Sequence, residues 1–175
     1  MKYLKKYKIF ENSIECENII KDILLELDDD DFNTSVKYKT YTTGLAKRKD
    51  KWNSIPGTYI TVYIAKSENY YDDNDVALEE SKFKFTNKIY DLILDLNRYV
   101  EGEFNIIEDG YNIEYYFETS LIKEPIEHYW DDRSDHVWSV NEPIECSFYS
   151  LDDLKEFADK YDMTFVYISI SYKIK

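Results

Sequence analysis

The chain has 175 residues, 36 of them acidic and 22 basic, for a formal net charge of −14, with 43 % hydrophobic and 17 % aromatic residues that include 18 Tyr. That aromatic content excludes an intrinsically disordered chain, and the length suits a single acidic domain over residues 1–175 with one core. The charge excludes ready binding to nucleic acid, anionic lipid or phosphorylated substrates and favours basic partners.

The opening residues, Met1-Lys2-Tyr3-Leu4-Lys5-Lys6-Tyr7-Lys8, lack the apolar stretch of a secretory signal, and no run approaches the roughly 18 apolar residues that span a bilayer. A cytoplasmic protein is expected, in a bacterial host, since the Lys, Asn, Ile and Tyr bias fits genes of low GC content. Cys16 and Cys146 are then expected as free, buried thiols.

Asn12 to Leu27 predicts an amphipathic helix. Asn12 stands as a cap with Glu15 three residues on, and Cys16, Ile19, Ile20, Ile23, Leu24 and Leu27 share one face. The acids Asp28 to Asp31 oppose the macrodipole and end it. Strands are predicted at Ser35 to Thr42 and Thr58 to Ala65, the second with Ile60, Val62 and Ile64 on one face. The loop between them carries Lys47, Arg48, Lys49 and Lys51 beside Trp52. This basic cluster reads as a solvated hairpin tip, or as a partner for the protein's own acidic face, before it reads as a phosphate contact.

Asn69 to Glu80 is acidic and irregular. A second helix starts near Thr86, where Ile89, Ile93, Leu96 and Val100 repeat at helical spacing and Gly102 is placed to end it. Asp109-Gly110 signals a hairpin. Beyond it Tyr111, Ile113, Tyr115 and Phe117 alternate with Asn112, Glu114, Tyr116 and Glu118, which predicts a sheet with one wet acidic face. Val137 to Tyr149 predicts another strand, which Pro143 confines to an edge or forces to bulge. Ser150 with Asp153 starts a last helix whose Leu151, Leu154, Phe157, Ala158 and Tyr161 share a face, and Thr164 to Ile174 closes as a strand. The expected fold is α+β: a mainly antiparallel twisted sheet of about five to six strands with about three helices packed on one face.

No catalytic motif is present, so neither an enzyme nor a cofactor is expected. Neither cysteine has a basic neighbour in sequence, no serine lies in a Gly-x-Ser-x-Gly elbow, and 4 Gly provide no phosphate-cradling loop. The one dense constellation is Glu127 to His136, which holds both histidines with Asp131, Asp132 and Asp135. Such ligand types can hold zinc, manganese or iron, but the seven-residue gap between His128 and His136 matches no common ligand spacing. These histidines are weak metal candidates on what reads as an exposed loop, and a small metal-dependent hydrolase using Glu127, His128, Asp131, Asp135 and His136 is the alternative of another class.

The charge distribution is more telling. Residues 67–162 hold 26 acids against 8 bases, a net −18, and the remainder carries +4. Within the acidic loops lie large aromatic rings that solubility does not require. Tyr70, Tyr71, Asp72, Asp73, Asp75, Tyr129, Trp130, Asp131, Asp132 and Asp135 are the candidate partner-binding residues, rings supplying contact area and cation-π faces while carboxylates meet Lys or Arg. The expected function is an acidic interaction module that binds and inhibits a basic, nucleic-acid-binding protein. In composition the chain resembles the DNA-mimicking anti-restriction and anti-CRISPR proteins of phages and mobile elements. It also resembles the acidic, aromatic-rich immunity proteins that neutralise bacterial toxin nucleases. Neither resemblance transfers a motif or a residue. The resemblance implies a basic defence protein or nuclease as partner, with no direct nucleic-acid or membrane contact.

Overall fold

A computed structural model describes residues 16–27, 29–41, 57–67, 79–104, 113–123, 126–129, 135–138, 141 and 143–174. Residues 16–27 form α1, followed by β1 (Asn33–Tyr41), β2 (Gly57–Ala65), β3 (Phe83–Lys84), α2 (Asn87–Glu103), β4 (Ile113–Thr119), β5 (Ile126–Tyr129), β6 (Asp135–Trp138), β7 (Glu145–Phe148), α3 (Leu151–Lys160) and β8 (Thr164–Ile174). The fold is α+β. Six strands make one antiparallel sheet in the order β1-β2-β8-β4-β7, with β3 pairing the start of β8, and β5 and β6 make a separate two-stranded ribbon.

Strand β8 is central because its sequence suits burial from both sides. Its inward residues Ile168, Ile170, Tyr172 and Ile174 meet Ile64, Val62, Ile60 and Thr58 of β2, and Ile168, Ile170 and Tyr172 also meet Phe117, Tyr115 and Ile113 of β4. All three helices press onto this face. Ile20, Leu24 and Leu27 of α1, Ile89, Ile93, Leu96 and Val100 of α2, and Leu151, Leu154 and Phe157 of α3 join the strand residues in one buried core. Under α3 the rings of Phe117, Phe148, Phe157 and Phe165 form a cluster with centroid separations of 5.3–5.7 Å. Such aromatic pairs contribute roughly 0.5–1.5 kcal/mol beyond the area they bury.

The helix ends follow the sequence chemistry. Thr86 caps α2, its hydroxyl accepting from the Ile89 amide at 3.3 Å, and Ser150 caps α3 in the same way from the Asp153 amide at 3.3 Å. After α1 the amides of Asp30 and Phe32 both return to the Leu27 carbonyl, and Asp31 adopts a left-handed φ of 60°. An aspartate tolerates that conformation because its short polar side chain can bond locally. Lys88 then ties the turn to α2, donating to Asp30 Oδ2 at 2.8 Å and to the Glu26 carbonyl at 2.9 Å.

Several expectations are corrected. Gly102 does not stop α2; it lies inside the last turn, and the Phe104 amide closes the helix on the Val100 carbonyl. The single strand expected over Val137 to Tyr149 is two, β6 in the ribbon and β7 at the sheet edge, so Pro143 stands just before the edge strand, where it costs no ladder bond. Within Glu127 to His136, residues 127–129 and 135–136 are not loop but belong to the paired strands β5 and β6, and residues 130–134 lie outside the described residues. Strand β3 was not anticipated at all. The Asn12 cap, Glu15, the Lys47 to Trp52 cluster and the Asp109-Gly110 turn lie outside the described residues. No helix among the described residues is long and apolar enough to cross a membrane.

Candidate functional site

The face of the sheet opposite the three helices is built by the other half of each strand's alternation. The registers place Asn33, Ala65, Tyr167, Glu118 and Glu145 in one row across β1, β2, β8, β4 and β7. The next row holds Ser35, Tyr63, Ser169, Tyr116 and Ser147, and the third holds Lys37, Thr61, Ser171 and Glu114. Charge is therefore graded across the face. Lysines stand on β1, hydroxyls and rings lie in the middle, and three glutamates stand on β4 and β7.

The glutamates expected on the wet side of β4 do lie together on this face, but the two on β4 itself are not wet, whereas Glu145 on the edge strand is exposed. Glu114 and Glu118 retain only 9 % and 7 % of their exposure. The alternation that exposes a lone strand's polar residues does not do so in the middle of a sheet, where neighbouring strands bring rings beside them. Tyr116 and Tyr167 flank Glu118, with ring centroids 6.0 Å apart. A shift of register between Glu118 and Thr119 against β8 sits beside it, a bulge of the kind that re-aims side chains near functional sites. The row is pinned by the paired Thr119 and Ile144: the Thr119 amide donates to the Ile144 carbonyl at 3.0 Å, and the Thr119 hydroxyl accepts from the Ile144 amide at 2.9 Å.

Hydrogen bonding within the cluster is uneven. The Tyr116 hydroxyl donates to Glu145 Oε2 at 3.1 Å, and the Tyr167 and Tyr116 hydroxyls are bonded to one another. Glu114 accepts from Ser147. Glu118 has no hydrogen-bond donor or cation among the described residues, and its cross-strand neighbour Glu145 is another carboxylate. Burial first, and the Glu145 charge second, push the Glu118 carboxyl up to about 7. Burial also raises Glu114 above the usual carboxylate range, with the Ser147 bond opposing it. Burial raises Tyr167 well above an ordinary phenol, helped by Tyr116 and the nearby carboxylates.

The acidic segments of the sequence join the sheet at this same row. Residues 68–78 follow the end of β2 at Ala65, and the whole of 120–144 runs from the end of β4 at Thr119 to the start of β7 at Glu145. Tyr70, Tyr71, Asp72, Asp73, Asp75, Trp130, Asp131 and Asp132 lie outside the described residues. Of the other candidates, the ribbon register pairs Tyr129 with Asp135, His128 with His136 and Glu127 with Val137. Both histidines thus occupy one cross-strand pair, a proximity that their seven-residue gap conceals. Among the described residues no three His, Cys, Asp or Glu side chains converge as a metal ion requires.

Two lysines near the start of β8 are already engaged. A groove of about 670 Å³ is lined by Lys84, Lys123 and Lys160 with Leu121, Ile126 and Tyr161. There Lys84 pairs with Asp162 at 2.8 Å, and Lys160 lies over the Tyr161 ring at 5.0 Å. Both cysteines are free and buried, and burial pushes the Cys16 thiol up to about 11 and Cys146 higher still, so neither is an activated nucleophile.

Sequence reasoning missed Glu118, Glu145 and Tyr167 as a group. Each lies on a different strand, and only the register joins them. No protein-family model, curated protein or solved structure matches the chain.

Proposed function

We propose that this protein binds and inhibits a basic, nucleic-acid-binding partner protein, as the anti-restriction and anti-CRISPR proteins of phages and mobile elements do, within a bacterial cytoplasm. The observation that carries this reading is a pair of directly opposed glutamates at the strand ends to which the two acidic stretches of the sequence connect. Glu118 and Glu145 occupy the row from which both acidic, aromatic segments, 68–78 and 120–144, depart. Carboxylates arrayed with rings offer a basic surface the charge it normally takes from phosphates, and the net −14 of the chain accelerates encounter at low salt. An immunity protein that neutralises a toxin nuclease would use the same chemistry and differs only in the partner's identity.

The test is affinity capture of basic host proteins on the immobilised full chain at low and high salt, with nucleic acid as competitor. A nuclease or other nucleic-acid-binding protein should be retained at low salt, released by salt because exposed pairs are screened within about 10 Å at 0.1 M, and displaced by DNA. Charge reversal across Asp72, Asp73, Asp75, Asp131, Asp132 and Asp135 should abolish capture. Normal binding by that variant would reduce the acidic loops to a solubility device.

A further inference from the structure

A carboxylate buried beside a second carboxylate, with no donor of its own, is a costly arrangement that a cation would relieve. Glu118 is in that position: 7 % exposed, unpartnered among the described residues, and directly opposite Glu145 across β4 and β7. Like charges in directly opposed strand positions repel. Glu145 is exposed on β7, the edge strand of the main sheet. On the other side the Tyr167 ring stands in the same row, and Tyr116 stands one row along with its hydroxyl already aimed at Glu145 Oε2. The cluster therefore presents two carboxylates, with two aromatic rings beside them, and no cation meets it among the described residues.

We propose that Glu118 and Glu145, with Tyr116 and Tyr167, form a receptor for a single guanidinium, an arginine side chain projecting from the basic partner. This inference rests on the reading of the protein as a binder of basic proteins and specifies what that binding recognises. A guanidinium fits better than an ammonium for two reasons. Its planar fork donates to two carboxylates at once, and its weakly hydrated face lies favourably on tyrosine rings. A metal ion is the poorer fit, since no third acidic or imidazole ligand converges there among the described residues. Because burial holds a proton on Glu118 near neutral pH, insertion of the cation displaces that proton to the buffer.

The experiment is calorimetric titration of the full chain with a hexa-arginine peptide, a hexa-lysine peptide and an uncharged peptide of equal length, at low ionic strength and pH 7. Each titration is run in two buffers of different ionisation heat. Hexa-arginine should bind more tightly than hexa-lysine and release a fraction of a proton. The near-isosteric Glu118→Gln variant should weaken hexa-arginine by about tenfold, as loss of a desolvated charge-assisted pair does, and should abolish proton release. A control that removes two charges from exposed helix positions, Asp91→Asn with Glu156→Gln, should change binding by no more than about twofold, as screened surface charges do. Circular dichroism establishes that each variant is folded, and Glu145→Gln serves as the second probe if Glu118→Gln is not. Hexa-arginine binding that is unaltered in Glu118→Gln, or proton release that persists in it, would overturn the receptor while leaving the binding of basic partners intact. No preference for either cationic peptide over the uncharged one would overturn both.

Discussion

At the scale of single residues, the ionisation of Glu118 has a calculable effect on stability. The unfolded chain releases this proton near pH 4.5, whereas the folded chain holds it to about 7. The folded state therefore binds more protons between those values; the stabilisation is complete below about 4.5 and is lost as pH rises through 7. Glu118→Gln should make the protein more stable than the parent at pH 8, by about 1–3 kcal/mol at roughly 1.4 kcal/mol per pKa unit, and leave it nearly unchanged at pH 4. Urea denaturation at both pH values measures the difference, and equal stability at pH 8 would mean that the native carboxylate is solvated. Asn97 poses the opposite case of a buried polar group whose bonds are made. Its amide donates to the Tyr115 hydroxyl at 2.7 Å and accepts from the Tyr172 hydroxyl at 2.8 Å. Asn97→Leu should cost about 2–6 kcal/mol, because it strands two buried phenols at roughly 1–3 kcal/mol for each unsatisfied group; the same denaturation assay checks it. The sequence shows Asn97 only as one polar residue inside a helical stripe, because its partners lie on two strands distant in the chain.

At the scale of elements, local signals located what they could define alone. The Ser150 cap, the apolar spacing after it and the run of β8 are each complete within a dozen residues, and α3 and β8 begin and end where those signals place them. Ser150→Ala should destabilise the protein by about 1 kcal/mol, the usual cost of losing an N-cap, read from the chemical denaturation midpoint; a value near zero would mean that the cap is replaced by solvent. Strand β3 was illegible because it exists only by pairing Phe83 with Phe165 and Lys84 with Thr164. The β5–β6 ribbon was hidden by its composition, since histidines and acids suggest a loop when their cross-strand neighbours are unknown. The alternation in β4 identified which face Glu114 and Glu118 occupy. It did not reveal their burial, which depends on β8 and β7 arriving on either side.

At the scale of the whole molecule, the charge imbalance acts on folding as well as on partners. A net −14 repels itself in the compact state, and added salt should relieve that repulsion within the Debye length, roughly 10 Å at 0.1 M. The thermal midpoint is thus expected to rise as sodium chloride increases from about 10 to 300 mM, followed by circular dichroism. A midpoint that falls or stays flat would mean that the acids are locally compensated by ion pairs such as Lys88–Asp30 and Arg98–Asp95. The sheet order has a consequence of another kind. Strand β8 is the last described element to leave the ribosome, yet β2, β3 and β4 all pair with it. Until it emerges, the nascent chain holds only the β1–β2 pair and the β4–β7 pair as separate halves of the main sheet, and two-stranded units of that kind are marginal in water. Synthesis must pass residue 174 before the main sheet can close, so a ribosome stalled anywhere before β8 would display an unjoined chain to chaperones and proteases.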